Sequence, residues 1–151
     1  LGSDIPMDVL ETLSHIPNIE YVKDASGHTG RILTLLNRMG ERIKVFSASA
    51  HIPLLVLQLG GVGWMAGPAC VMPRECVRLY ALARAGRMEE AMAEQRKQWA
   101  MNEAFTKYSL AACIKTALRL QGFDVGDSIP PQEPLNPEAV EEIRRALAQL
   151  R

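Results

Sequence analysis

The stretch NIEYVKDASGHTG, Asn18–Gly30, places a lysine where an apolar, strand-like run gives way to small and polar residues. That lysine is Lys23. An amine held among apolar walls loses hydration, which disfavours its ammonium form. The neutral amine can then attack a carbonyl carbon and form a Schiff base. From position alone a solvated lysine at a strand end is the commoner case, so the surrounding pattern must decide between the two.

Other groups of chemical interest point less far. GGVGWMAG could cradle a phosphate, but no P-loop Lys or Ser/Thr follows it. Its glycines read better as a tight turn from helix to strand with close backbone approach. His15, His28 and His51 share no helical face with each other or with a carboxylate pair, so no metal site is expected. Ser47 and Ser49 precede His51 without a GxSxG elbow, and read as small lining residues. Cys70, Cys76 and Cys113 lack CxxC spacing and read as free thiols of a reducing, cytoplasmic setting. Trp64 and Trp99 are expected in the core or at an interface.

The elements that would position Lys23 alternate in kind. Ile19–Val22, Ile43–Ser49 and Val62–Gly67 read as short buried strands bounded by turn residues. Helical patterns lie between them: MDVLETLSHI behind Pro6, GRILTLLNRMG stopping at Gly40, and the almost wholly apolar AHIPLLVLQLGG. Strand–helix alternation implies parallel pairing. After Pro73 the alternation ends and the rest is helical: PRECVRLYALARAG, RMEEAMAEQRKQWAMNEAFTKY, LAACIKTALRLQG and, past a proline-rich loop, PEAVEEIRRALAQLR. Three parallel strands leave both sheet edges open, and a complete βα barrel takes about 250 residues. The expectation is therefore an α/β chain. Residues 1–86 form the C-terminal portion of a (β/α)8 barrel, its last three strands, and residues 87–151 a helical extension. The chain starts at Leu1 rather than Met, and the front of the barrel is expected upstream.

Bulk properties narrow the partners. Lys+Arg and Asp+Glu both number 17, so the formal charge is zero and gives no electrostatic reason for a nucleic-acid or anionic-membrane partner. Aromatics, at 5%, are too few for base-stacking platforms. Pro53 and several glycines interrupt the longest apolar run, so no membrane span is expected.

VKDASGHTGRI resembles the Schiff-base segment of the dihydrodipicolinate synthase/N-acetylneuraminate lyase family, class I pyruvate-dependent aldolases built on a (β/α)8 barrel. FSASAHIPLLVLQLGGVGWMAGPACVMPRECVRLYALARAG is similar to the family's seventh strand, Leu-rich helix, Gly-rich eighth strand and following helix. RLQGFDVGDSIPPQEPLNPE resembles its approach to the final helix. The resemblance implies that Lys23 forms the imine. It implies that Met65 contacts pyruvate through its backbone and that Ala48 lines the same pocket. Gly2 and Asp4 resemble the end of the loop after the fifth strand. The family's catalytic tyrosine, its carboxylate-holding arginine and its threonine pair would all fall before Leu1.

Some positions depart from the synthase pattern. His28 stands where Asp or Asn is common, and Ser49 where Asp is frequent. Gly67, Pro68 and Cys70 replace a polar run, and KYSLAACIK replaces an NPIPVK-like stretch. These changes leave the aldehyde partner open. The resemblance implies a lyase, a synthase or aldolase joining pyruvate to an aldehyde or cleaving a 2-keto acid. It needs no cofactor beyond the covalent imine on Lys23, and a homotetramer is expected. The alternative is a non-catalytic barrel relative that binds a 2-oxo acid without turnover. The 151 residues alone are expected to be inactive.

Overall fold

The computed structural model describes residues 4–47 and 53–150. By packing, the chain divides into two compact units, Leu1–Met65 and Ala66–Arg151.

The first unit alternates helix and strand. Helix α1 (Met7–Leu13) starts behind Pro6, which lacks the N–H a first helical turn would leave unpaired. Strand β1 (Tyr21–Asp24) leads into α2 (Thr29–Met39). Ile32, Leu35 and Met39 of α2 recur at helical spacing and are buried. The helix ends at Gly40, whose φ of 54° suits glycine. Strand β2 (Lys44–Ser47), α3 (Pro53–Gln58) and β3 (Gly63–Trp64) complete the unit. The sheet is parallel with order β1-β2-β3. Its register sets Val22 beside Val45 and Lys23 beside Phe46, and it sets Phe46 beside Gly63.

Strand alternation then sorts the side chains. Leu10, Ile32, Leu35, Met39, Ile43, Val45 and Val56 form one buried cluster, with Val22 packed against it. The helices thus cover the face carrying Val22 and Val45. On the opposite face Tyr21, Lys23 and Lys44 are exposed and Phe46 is half-buried.

The glycines after α3 act as close-approach residues. A Cβ on Gly61 would lie 2.5 Å from Val56 Cγ2 and 3.0 Å from the Val45 carbonyl oxygen. One on Gly63 would lie 3.0 Å from the Phe46 ring. The run GGVG therefore seats β3 against β2 and α3.

The second unit is helical. It comprises α4 (Pro73–Arg84), α5 (Met88–Lys97), α6 (Trp99–Lys107), α7 (Leu110–Leu120) and α8 (Pro137–Gln149). Small buried residues let the helices approach closely: Ala83, Ala91, Ala104, Ala112, Cys113, Ala117, Ala139 and Ala146. Asn136 caps α8 by accepting the Ala139 N–H at 2.8 Å.

The division by packing falls after Met65, and α4 packs on α5. Two details differ from the sequence reading. The single helix expected through 87–108 is two, interrupted at Gln98, where ψ is −9°. The Gln98 side chain is buried and donates to the Glu75 carbonyl at 3.0 Å, tying that point to α4. Finally, Lys23 does not follow β1 but lies within it, because Lys23 and Asp24 both continue the pairing with β2.

Candidate active site

Lys23 is held by a short, well-bonded strand end. Ser26 Oγ donates to Asp24 Oδ2 at 2.9 Å and accepts the His28 N–H at 3.1 Å. Gly27 completes the turn with a φ of 73°, in the region that favours glycine. His28, the residue before α2, caps nothing with its ring. Its position where the synthase pattern carries Asp or Asn therefore leaves the turn intact, since Ser26 supplies the oxygen.

Arg31, in the first turn of α2, gathers the surroundings. Its Nε lies 3.3 Å from Asp24 Oδ1, and its Nη2 lies 3.0 Å from Asp4 Oδ1 and 2.7 Å from the Ile5 carbonyl oxygen. The Asp24 side chain is 8% exposed and that of Arg31 18%, whereas that of Asp4 is 71% exposed. One guanidinium thus joins the end of β1, the start of α2 and the segment before α1. A hollow of about 450 Å³ lies here, lined by Asp4, Ile5, Val22 to Ser26, His28 and Arg31, with Leu10 and Leu35 at its base. Among the described residues β1 pairs only with β2, so this hollow runs beside an open strand edge.

Lys23 contributes to the hollow, but its side chain is exposed. The apolar enclosure expected around it is not built by the described residues. On the face opposite the helices Tyr21, Lys23 and Lys44 are exposed. Met65 directly follows β3 and continues its pairing with β2, so extending the alternation by one residue assigns it to the same face as Gly63, Phe46 and Lys23. It is 52% exposed, and its N–H donates to the Ser47 carbonyl at 2.9 Å. Ala48 lies outside the described residues, as do Gly2, Ser49 and His51.

Sequence reasoning missed two features of this face. Lys44 Nζ stands 5.4 Å from the centroid of the Tyr21 ring, a cation–π distance, and the Tyr21 and Phe46 rings lie 6.0 Å apart. Tyr21 and Lys44 belong to the N-terminal ends of their strands, so they would floor a barrel rather than face its mouth. The alternation of Tyr21 with Val22 carried that signal. Arg31 was also missed, although it stands within the quoted motif.

In the helical unit, two of the synthase-pattern departures meet. A Cβ on Gly67 would lie 3.2 Å from Leu110 Cδ2, and Leu110 belongs to KYSLAACIK. Glycine there admits the leucine. Cys76 and Cys113 are buried, and burial pushes both thiols up to about 11, which keeps them protonated and unreactive near neutral pH. Cys70 is exposed. Among the described residues no three His, Cys, Asp or Glu side chains are grouped to hold a metal. No helix among them is long and apolar enough to cross a membrane.

The model of the dihydrodipicolinate synthetase family matches residues 1–150. The chain belongs to this family. It is 31% identical over 147 residues to a 4-hydroxy-tetrahydrodipicolinate synthase of Acidiphilium cryptum, covering 97% of this chain and 50% of that one. It is 39% identical over 94 residues to a probable mitochondrial 4-hydroxy-2-oxoglutarate aldolase of Emericella nidulans, covering 62% of this chain and 30% of that one. Among solved structures it is similar to a putative dihydrodipicolinate synthase of Thermus thermophilus. The TM-score there is 0.88 at 30% identity, over 98% of this chain and 51% of that one. A 4-hydroxy-tetrahydrodipicolinate synthase of Methylacidiphilum fumariolicum shares the fold, with a TM-score of 0.91 at 24% identity, over 97% of this chain and 49% of that one. The chain therefore spans about half the length of the synthases it matches.

Proposed function

We propose that the protein carrying this chain is a class I aldolase or synthase of the dihydrodipicolinate synthetase family, and that Lys23 is its imine-forming residue. The observation that carries this reading is the placement of Lys23. Within a chain of that family, it stands near the C-terminal end of β1, on the sheet face opposite the helices and shared with Met65. Barrel enzymes perform their chemistry at that end of the strands. The missing enclosure would come from further strands closing over the open edge of β1.

The Lys23 amine adds to the keto carbon of pyruvate or a related 2-oxo acid, and the carbinolamine loses water to give an iminium. The iminium withdraws electrons from the neighbouring methyl carbon, so a C–H proton leaves and an enamine forms. The enamine carbon attacks an aldehyde carbonyl, making a C–C bond, and water then releases the product and restores the amine. Run backwards, the same steps cleave a 4-hydroxy-2-oxo acid. The Met65 backbone and Ala48 are assigned to the 2-oxo acid, and no cofactor takes part beyond the imine itself. The relatives' names support both directions, and the departures around Gly67 and Leu110 leave the aldehyde undetermined.

Borohydride added to the full-length protein with pyruvate should fix the adduct on the peptide containing Lys23, and Lys23→Ala should abolish both labelling and turnover. A labelled wild-type protein that exchanges no methyl protons with solvent would favour a binding relative without turnover. Labelling elsewhere would remove Lys23 from the mechanism. A homotetramer in the cytoplasm accompanies this reading on the family's pattern, and light scattering on the full-length protein reads the assembly directly.

A further inference from the structure

We infer that Arg31 is a positioning residue for the imine-forming strand end, acting through Asp24. This rests on the reading of Lys23 given above. Asp24 is the residue next to Lys23, and alternation turns the two side chains to opposite faces of β1. Any rotation of the strand end about its axis therefore swings both. Asp24 is held on two sides, by Arg31 Nε at 3.3 Å and by Ser26 Oγ at 2.9 Å, and its side chain is nearly buried. The Ser26 contact is a directional hydrogen bond to an ionised acceptor, and the Arg31 contact is an ion pair with a nearly buried carboxylate, screened far less than one in open solvent. The strand end is thereby fixed from the helix-covered side, leaving Lys23 free to point to the other.

Arg31 also carries a second load. Its Nη2 reaches Asp4 Oδ1 and the Ile5 carbonyl oxygen, so the position of the segment before α1 depends on the same group that fixes Asp24. Both partners line the hollow to which Lys23 contributes. A lysine at position 31 cannot reproduce this. It offers one ammonium, whereas the guanidinium presents donors in a planar fork to several acceptors at once. Arg31 touches no reacting atom in this scheme. It sets the angle of approach, and misplacement of a reacting group by about 1 Å can cost on the order of 100-fold in rate.

The test uses the full-length protein, pyruvate and borohydride, with initial rates of Lys23 adduct formation and steady-state turnover. Arg31→Lys should slow adduct formation by more than about tenfold and lower kcat, with KM for pyruvate changed less than about threefold and the midpoint of the pH–rate profile unmoved. Asp24→Asn should do the same, and the double variant should lose no more than the worse single one, because both act on one link. Arg31→Lys trapping as fast as wild type would overturn the inference. So would a rise in KM alone, or losses that add in the double variant. If neither single variant folds, the pair holds the fold rather than the angle, and the inference fails. A wild-type protein that forms no adduct at Lys23 would instead refute the underlying function, so the two failures are distinguishable.

Discussion

The two compact units bury their apolar surface in different ways. The helical unit, Ala66–Arg151, encloses its own core: Leu79, Met101, Cys113 and Ile143 are inaccessible to solvent, and alanines line the helix contacts. The sheet unit, Leu1–Met65, does so on one side only. Its helices seal Val45 and Val56, while the opposite face presents Tyr21, Lys23 and Lys44 to solvent, and Met65 is likewise exposed. The comparison teaches that burial is unevenly shared: truncations in the helical core should cost stability, and truncations on the open sheet face should cost little.

The strongest test of that contrast pairs two truncations in the full-length protein. Ile143 lies on α8 and is fully buried, so Ile143→Ala should lower stability by about 2–5 kcal/mol through lost burial and a residual cavity. Urea unfolding would show this as a lower midpoint, with kcat per folded molecule unchanged. Met65→Ala should leave the urea midpoint nearly where it was, because the side chain is half exposed and closes no cavity in these residues. If Met65→Ala unfolds the protein as readily as Ile143→Ala, the sheet face is part of a sealed core and the contrast between the units breaks.

Much of this arrangement was legible in the sequence, for local reasons. The three strands and the helices between them follow from periodicity and from stops such as Gly40, and the parallel order follows from their alternation. The family followed from the residues around Lys23. What was not legible depended on pairing. Lys23 was placed after its strand because charged residues read as strand ends, yet register with Phe46 carries β1 on to Asp24. The helix break at Gln98 has no proline or glycine to announce it, and it coincides with a buried amide that donates to the Glu75 carbonyl. Arg31 carries no signal in the sequence because its three partners, Asp4, Ile5 and Asp24, are brought together only by folding. The enclosure expected around Lys23 is a property of a closed barrel, whereas the described residues build a sheet of three parallel strands.

A smaller effect sharpens the account of the helical unit. Lys107 Nζ lies 2.7 Å from Glu142 Oε2, and the Tyr108 hydroxyl donates to the same oxygen at 2.8 Å, linking the end of α6 to α8. The Lys107 hydrogen bond, then that of Tyr108, holds the Glu142 carboxyl below the usual carboxylate range. A carboxyl lowered by folding contributes stability above its unfolded value, and that contribution is lost as pH falls through the folded value. Wild type should therefore be slightly more stable than Glu142→Gln at neutral pH, and the gap should close on acidification and shrink in high salt. Exposed pairs of this kind contribute little. Urea midpoints across the acid range would measure the gap. A gap as large as the one for Ile143→Ala, or one that persists below the carboxylate range, would mean that α8 is anchored by its surface carboxylate instead of by the apolar side chains beneath it.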